Sequence, residues 1–181
     1  MGGFDEILYT RPSRYCDSDR LAHLAGTHFA GLTGMDLVAA VTDWVHTKIG
    51  YLPGFSRGID GALDTYLTRS GVCRDFAHLV VAFLRGRNMP ARFVSVYAPG
   101  LRPMDFHAVA EVYVDGRWLL LDATGLASRE AMVRICTGRD ASDTAFMTTL
   151  AGRTRLTGMR VDARLEGELP EDDRLSAVQL T

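Results

Sequence analysis

The 181-residue chain is poor in the features that commit a protein to a special environment. It has three cysteines, Cys16, Cys73 and Cys136, an odd number without paired spacing. That excludes a disulfide frame and leaves no close-spaced set for zinc, so free thiols in a reducing cytoplasm are expected. Charge of one sign is not in excess: the formal net charge is -2, which gives neither nucleic acid nor an anionic membrane a surface to bind. No apolar run approaches the ~20 residues of a membrane helix. The N-terminus lacks a basic stretch followed by an apolar one, so no secretory leader is expected. Glu6 stands where a myristoylation signal needs Ser or Thr. No acidic calcium loop, internal repeat or low-complexity linker is present, and neither cofactor nor metal is expected.

What remains is the composition of an ordinary globular protein, 47% hydrophobic and 23% charged. One domain over residues 1–165 is expected, with residues 166–181 an acidic tail, interrupted by Pro170, that stays mobile. Helical periodicity marks a first helix with Leu21, Leu24, Ala25, His28 and Phe29 on one side. A second follows with Leu37, Val38, Val41, Trp44, Val45 and Ile49. A Gly- and Pro-rich loop over 51–61 and a short helix over 62–67 come next. A strongly apolar helix over 72–87 is stopped at Met89-Pro90. The period then changes to two. Residues 91–97 read as a strand, and two more flank Asp115-Gly116, a two-residue hairpin signal. Short helices over 127–133 and 140–150 and a last strand over 159–165 complete an α+β reading with an antiparallel sheet.

Cys73 opens the apolar helix, where the positive end of the macrodipole favours thiolate over thiol. Asp75 falls in the first turn of that helix and Arg74 is placed to pair with it; both are given supporting roles. If Asp115-Gly116 form the hairpin turn, Tyr113 faces Trp118, Glu111 faces Leu120 and Val109 faces Asp122. His107 then shares a sheet face with Asp122, as a diagonal neighbour about 7–8 Å away at Cβ, within reach of an imidazole and a carboxylate. Sulfur, imidazole and carboxylate are the parts of a thiol nucleophile. Spacing alone does not bring Cys73 to His107. Cys16 and Cys136 read as buried small hydrophobes, and His23, His28, His46 and His78 as packing or hydrogen-bonding groups.

Gly71-Val72-Cys73-Arg74-Asp75-Phe76, Phe106-His107-Ala108 and Trp118 to Thr124 resemble the transglutaminase-like superfamily of cysteine enzymes. Residues 12–16, Trp44-Val45-His46, Met89 to Arg92 and Gly138 to Ala141 are similar to a bacterial branch of it, so the likeness runs over roughly 9–165. It implies a papain/transglutaminase-like core in which the nucleophile helix packs on the antiparallel sheet. It implies Cys73 as nucleophile, His107 as general base and acid, and Asp122 as orienting carboxylate. Val109 departs from the Trp that commonly follows the His-Ala pair. For the oxyanion, a backbone N–H at the start of the Cys73 helix is one expected donor, with Trp44 or Tyr51 as candidates for another. The expected substrate is a peptide or amide. A hydrolase, an acyltransferase using an amine acceptor, and a peptide-binding module without turnover remain the three functional readings.

Overall fold

The computed structural model describes residues 3–174 and 176–180. Five helices come largely first: α1 (Gly3–Thr10), α2 (Ser18–His28), α3 (Gly34–Lys48), α4 (Ala62–Thr68) and α5 (Cys73–Gly86). Two short strands, β1 (Gly50–Tyr51) and β2 (Ser70–Gly71), pair in parallel between them. Then β3 (Ala91–Tyr97), β4 (Phe106–Val114), β5 (Arg117–Leu121) and β6 (Val133–Gly138) form an antiparallel sheet in the order β5-β4-β3-β6. This is an α+β fold with the Cys73 helix against the sheet.

Burial explains the arrangement. Helix α5 is buried along nearly its whole length, because Phe76, Leu79, Val80, Phe83 and Leu84 meet both the sheet and helices α2 and α3. Leu21 and Ala25 of α2 and Val38, Val41 and Val45 of α3 close over it, at the spacing of one helical face. Ala91, Ala110, Val112, Leu119 and Leu121 supply the sheet's side of the same core. A second cluster gathers Val94, Val96, Val109 and Leu120 with Met132 and Val178. The hairpin register is the one the turn chemistry implies. Tyr113 pairs with Trp118 and Glu111 with Leu120, around Asp115 and Gly116, both at positive φ.

Several expectations need correction. Among the described residues of 166–181, the expected mobile tail is held to the fold. Leu120 N–H donates to the Val178 carbonyl at 2.8 Å, and Val178 is buried in the second cluster. Asp172 accepts three bonds from the Arg129 side chain and one from its backbone N–H. The tail therefore covers the outer edge of β5, whose polar groups need a partner. Residues 159–165 alternate but form no strand; the last strand of the sheet is β6, beside β3. Strand β6 hid because its pattern is inverted: Val133 and Ile135 face out, while Arg134 reaches the buried Glu111. Residues 127–133 give only a 3₁₀ turn at Arg129–Ala131, and residues 140–150 form turns rather than a helix. Helix α1 was not anticipated; its Tyr9 packs edge-on against Trp118 at 5.5 Å.

Candidate active site

Cys73 is the first residue of α5 and is partly exposed. The turn that presents it is built by Gly71 and Asp75. The buried Asp75 carboxylate accepts the Val72 N–H at 2.8 Å, satisfying one of the donors a helix start leaves open. A Cβ on Gly71 would lie 2.6 Å from Asp75 Cβ and 2.8 Å from its Oδ2, so only glycine fits beside the thiol. Arg74 reaches away from the sulfur to Ser56 Oγ at 2.6 Å and the Arg57 carbonyl at 2.9 Å. It ties the 51–61 loop to the start of α5, and meets Asp75 only at 3.5 Å.

His107 and Asp122 meet across the β4–β5 hairpin, both buried. His107 Nε2–H donates to Asp122 Oδ2 at 2.9 Å. The other carboxylate oxygen is held by Thr124, through its N–H at 2.8 Å and its hydroxyl at 2.7 Å. Asp122 thus has its rotamer set by the residue two positions on, a local turn of Asx type. Among the described residues His107 Nδ1 has no hydrogen-bond partner, although it is buried. The Cys73 side chain lies close enough to the ring to raise its proton affinity. Burial pushes the imidazole down, but the Asp122 carboxylate and then the Cys73 sulfur outweigh it and raise His107 to about 10. One ring nitrogen is committed to the carboxylate and the other is left unpaired, with the Cys73 side chain nearby.

The two candidates for a second oxyanion donor separate. Tyr51 lies at the site: β1 pairs with β2 just before Cys73, and the Tyr51 phenol sits beside the Cys73 backbone N–H. Burial, then the sulfur, raises the phenol above its ordinary range. Trp44 lies elsewhere. It stacks on Tyr66 at 5.7 Å and meets Phe83 edge-on at 5.2 Å, with the Arg69 guanidinium over it. Phe83 is ten residues along α5 from Cys73, about 15 Å by helical rise, so Trp44 is a packing residue and no oxyanion donor.

Other residues gain places that spacing did not give. His46 Nδ1 lies 2.9 Å from the Ala123 carbonyl and steadies the segment after Asp122. His78 is buried, stacked on Tyr15 at 5.4 Å, and its Nε2 accepts the Ala141 N–H at 3.1 Å. Burial pushes it down to about 3. Asp140 accepts the Tyr15 and Ser142 N–H groups, so residues 13–15 and 139–142 are laced together against α5. The blocks quoted above carried this only as a pattern. Cys16 is buried and its thiol pushed up to about 12 by that burial; Cys136 lies on β6. A cavity of about 220 Å³ lies between α3, β5 and the C-terminal segment. Asp122 and His46 line it but Cys73 and His107 do not, so it is behind the site rather than its mouth.

Set beside known proteins, residues 29–123 match the model of the transglutaminase-like superfamily, more than half of the chain. The chain belongs to the transglutaminase-like superfamily. The matched span contains Cys73, His107 and Asp122. An uncharacterised protein of Mycobacterium leprae is 28% identical over 151 residues, covering 78% of this chain and 53% of the relative. One of Mycobacterium tuberculosis is 35% identical over 115 residues, 55% of this chain and 36% of the relative. A solved structure from Cytophaga hutchinsonii, described as a candidate cysteine protease, superposes with a TM-score of 0.78 at 44% identity, covering 80% of this chain and 50% of that one. The periplasmic domain of TgpA from Pseudomonas aeruginosa gives a TM-score of 0.55 at 25% identity, over 68% of this chain and 48% of the other. The chain spans about half the length of these relatives, or less. Family and fold both agree with the resemblance read from the sequence blocks.

Proposed function

We propose that this protein is a thiol-dependent amide hydrolase in which Cys73 is the nucleophile, His107 the proton carrier and Asp122 the group that orients it. One observation carries the reading. His107 is pinned to Asp122 through Nε2 at 2.9 Å, while its buried Nδ1 has no partner among the described residues and the Cys73 side chain lies beside the ring. A ring used only for packing has no need of one nitrogen on a buried carboxylate and the other beside a thiol.

The chemistry follows from those positions. In the resting enzyme the Cys73 proton is held by His107 Nδ1, and the sulfur attacks the amide carbonyl carbon. The oxygen becomes an oxyanion, which the Cys73 N–H, on the positive end of α5, is placed to receive, with the Tyr51 hydroxyl alongside. The C–N bond then breaks, His107 hands its proton to the leaving nitrogen, and a thioester remains on Cys73. Water attacks the thioester, His107 takes a proton from it, and sulfur leaves as the acid forms. The imidazolium between these steps is stabilised by Asp122, whose other oxygen is held in place by two bonds from Thr124. The proposed location is the cytoplasm, where a reducing medium keeps Cys73 a free thiol.

The test is product analysis with glutamine-containing peptides, with and without a primary amine. The reading predicts a free acid and a released amine or ammonia, lost in Cys73→Ala. A new amide in the presence of the amine would make the protein an acyltransferase using the same thioester. Binding that survives in Cys73→Ala, without any turnover by the wild type, would overturn the enzyme reading.

A further inference from the structure

Three aromatic rings stand in a row at the start of β4 and take no part in that chemistry. Tyr97 and Phe106 are cross-strand partners whose ring centroids lie 5.8 Å apart, and Phe146 stacks on Phe106 at 5.8 Å and 30°. Phe146 is 62% exposed and Tyr97 38% exposed, so the row leaves large apolar faces in water. Isolated exposed apolar residues are ordinary, but a stacked row beside a reactive group marks a recognition surface.

The register places this row at the thiol. Side chains two apart on a strand share a face, so Phe106 lies on the face of Ala108. Ala108 packs with Ala77 and Phe93, and Cys73 and Ala141 pack against that cluster. Helix α5 runs alongside β4, with Ala77 at Ala108 and the later residues Val80 and Leu84 in the core with Ala110 and Val112. Two residues back from Ala108, about 7 Å along the strand, Phe106 therefore flanks the tip of the helix that carries the sulfur. A further ring lies near the tip: Tyr51, 40% exposed, is beside Cys73 with its ring 5.9 Å from Phe76. Cys73 itself packs against small buried residues, Ala77 and Ala108. The exposed carboxylate of Asp105 adjoins the row.

Taking Cys73 as the nucleophile proposed above, we infer that the Tyr97–Phe106–Phe146 row is the specificity wall of the cleft. The preferred acyl donors are peptides with an aromatic or large apolar side chain next to the reacting amide. Such a side chain stacks on Phe106 and Phe146, and in doing so holds the carbonyl over the sulfur. An acidic neighbour is disfavoured by Asp105.

The experiment measures binding of fluorescent peptides carrying Phe, Gly or Asp on either side of a glutamine. Cys73→Ala protein is used so that binding is read without turnover; wild-type turnover of the same peptides is measured in parallel. The Phe peptide is expected to bind about tenfold tighter than the Gly peptide, and the Asp peptide weakest. In Phe146→Ala, and in Phe106→Leu as a second variant, the preference for Phe should shrink to within about twofold. Leu150→Ala, which removes another exposed apolar side chain, should keep it. Equal affinity for the Phe and Gly peptides overturns the wall, as does a preference that survives both variants. Turnover without side-chain preference sinks the wall alone. A Phe preference in binding, with no acyl group ever formed on wild-type Cys73, sinks the nucleophile and leaves the wall standing.

Discussion

Asp122→Asn is the substitution that separates geometry from charge at this site. The Asn side chain keeps the carboxylate's shape, and its amide oxygen inherits the two Thr124 donors at 2.7 and 2.8 Å. Its NH₂ group is then turned to His107 Nε2, where Oδ2 had been at 2.9 Å. That nitrogen must become an acceptor, so the neutral ring of the variant carries its proton on Nδ1. A ring in that tautomer does not take a proton from Cys73. The charge effect points the same way. His107 rises from 6.5 to about 10 only because Asp122 and Cys73 together overcome its burial. That rise is worth on the order of 5 kcal/mol of preference for the imidazolium, much of it lost with the carboxylate. The sign for stability follows: the wild-type contribution is complete below pH 6.5 and fades as pH rises through about 10. The variant loses that alkaline dependence. We expect turnover to fall about 10⁴-fold, as for a wrong-tautomer triad. Nitrogen chemical shifts of His107 should show both ring nitrogens protonated at pH 8 in the wild type and a neutral ring in the variant. A variant whose His107 still titrates as in the wild type, with turnover within about tenfold, would refute the reasoning.

Three further outcomes follow from the surroundings. Gly71→Ala pushes a methyl into Asp75 and should cost about 1–3 kcal/mol in urea unfolding, besides slowing alkylation of Cys73; a neutral effect contradicts the close fit. His78 is neutral in the folded state and charges only near pH 3. Its contribution is therefore complete above pH 6.5 and lost as pH falls, by up to about 1.4 kcal/mol per pH unit, so urea midpoints between pH 6.5 and 4.5 should drop more in the wild type than in His78→Gln. Asp172→Ala leaves the buried Arg129 without its two-pronged partner, and should destabilise by about 3 kcal/mol while speeding hydrogen exchange at Leu120. Unchanged exchange would mean that the C-terminal segment is held by other contacts.

The parts legible in the sequence are those fixed by local chemistry. Asp115-Gly116 set the hairpin register by needing positive φ, and the register alone carried His107 to Asp122. The apolar stripe of α5 and its stop at Met89-Pro90 read directly, since burial on several sides leaves a helix little choice of composition. The rest depends on long-range contacts that no spacing reports. Trp44 looked available because nothing in the chain announced Tyr66, Phe83 and Arg69 around it. Acidic residues near Pro170 suggested a free tail, but Asp172 found Arg129 forty-three residues away and Val178 found the edge of β5. Strand β6 escaped notice because its apolar residues face outward, against the usual sense of alternation. Thr124 was visible beside Asp122, yet its grip on Oδ1 is a matter of rotamer, not of sequence.

The central claim is that sulfur at the start of α5 forms a covalent acyl intermediate with help from His107. Intact-mass spectrometry of the protein, quenched in acid during turnover of a peptide amide, tests it directly. The account predicts a mass increase equal to the acyl group, mapping to Cys73, released by hydroxylamine, and absent from Cys73→Ala and His107→Ala. An adduct on Cys16 or Cys136, or product formation with Cys73 never acylated, would contradict it.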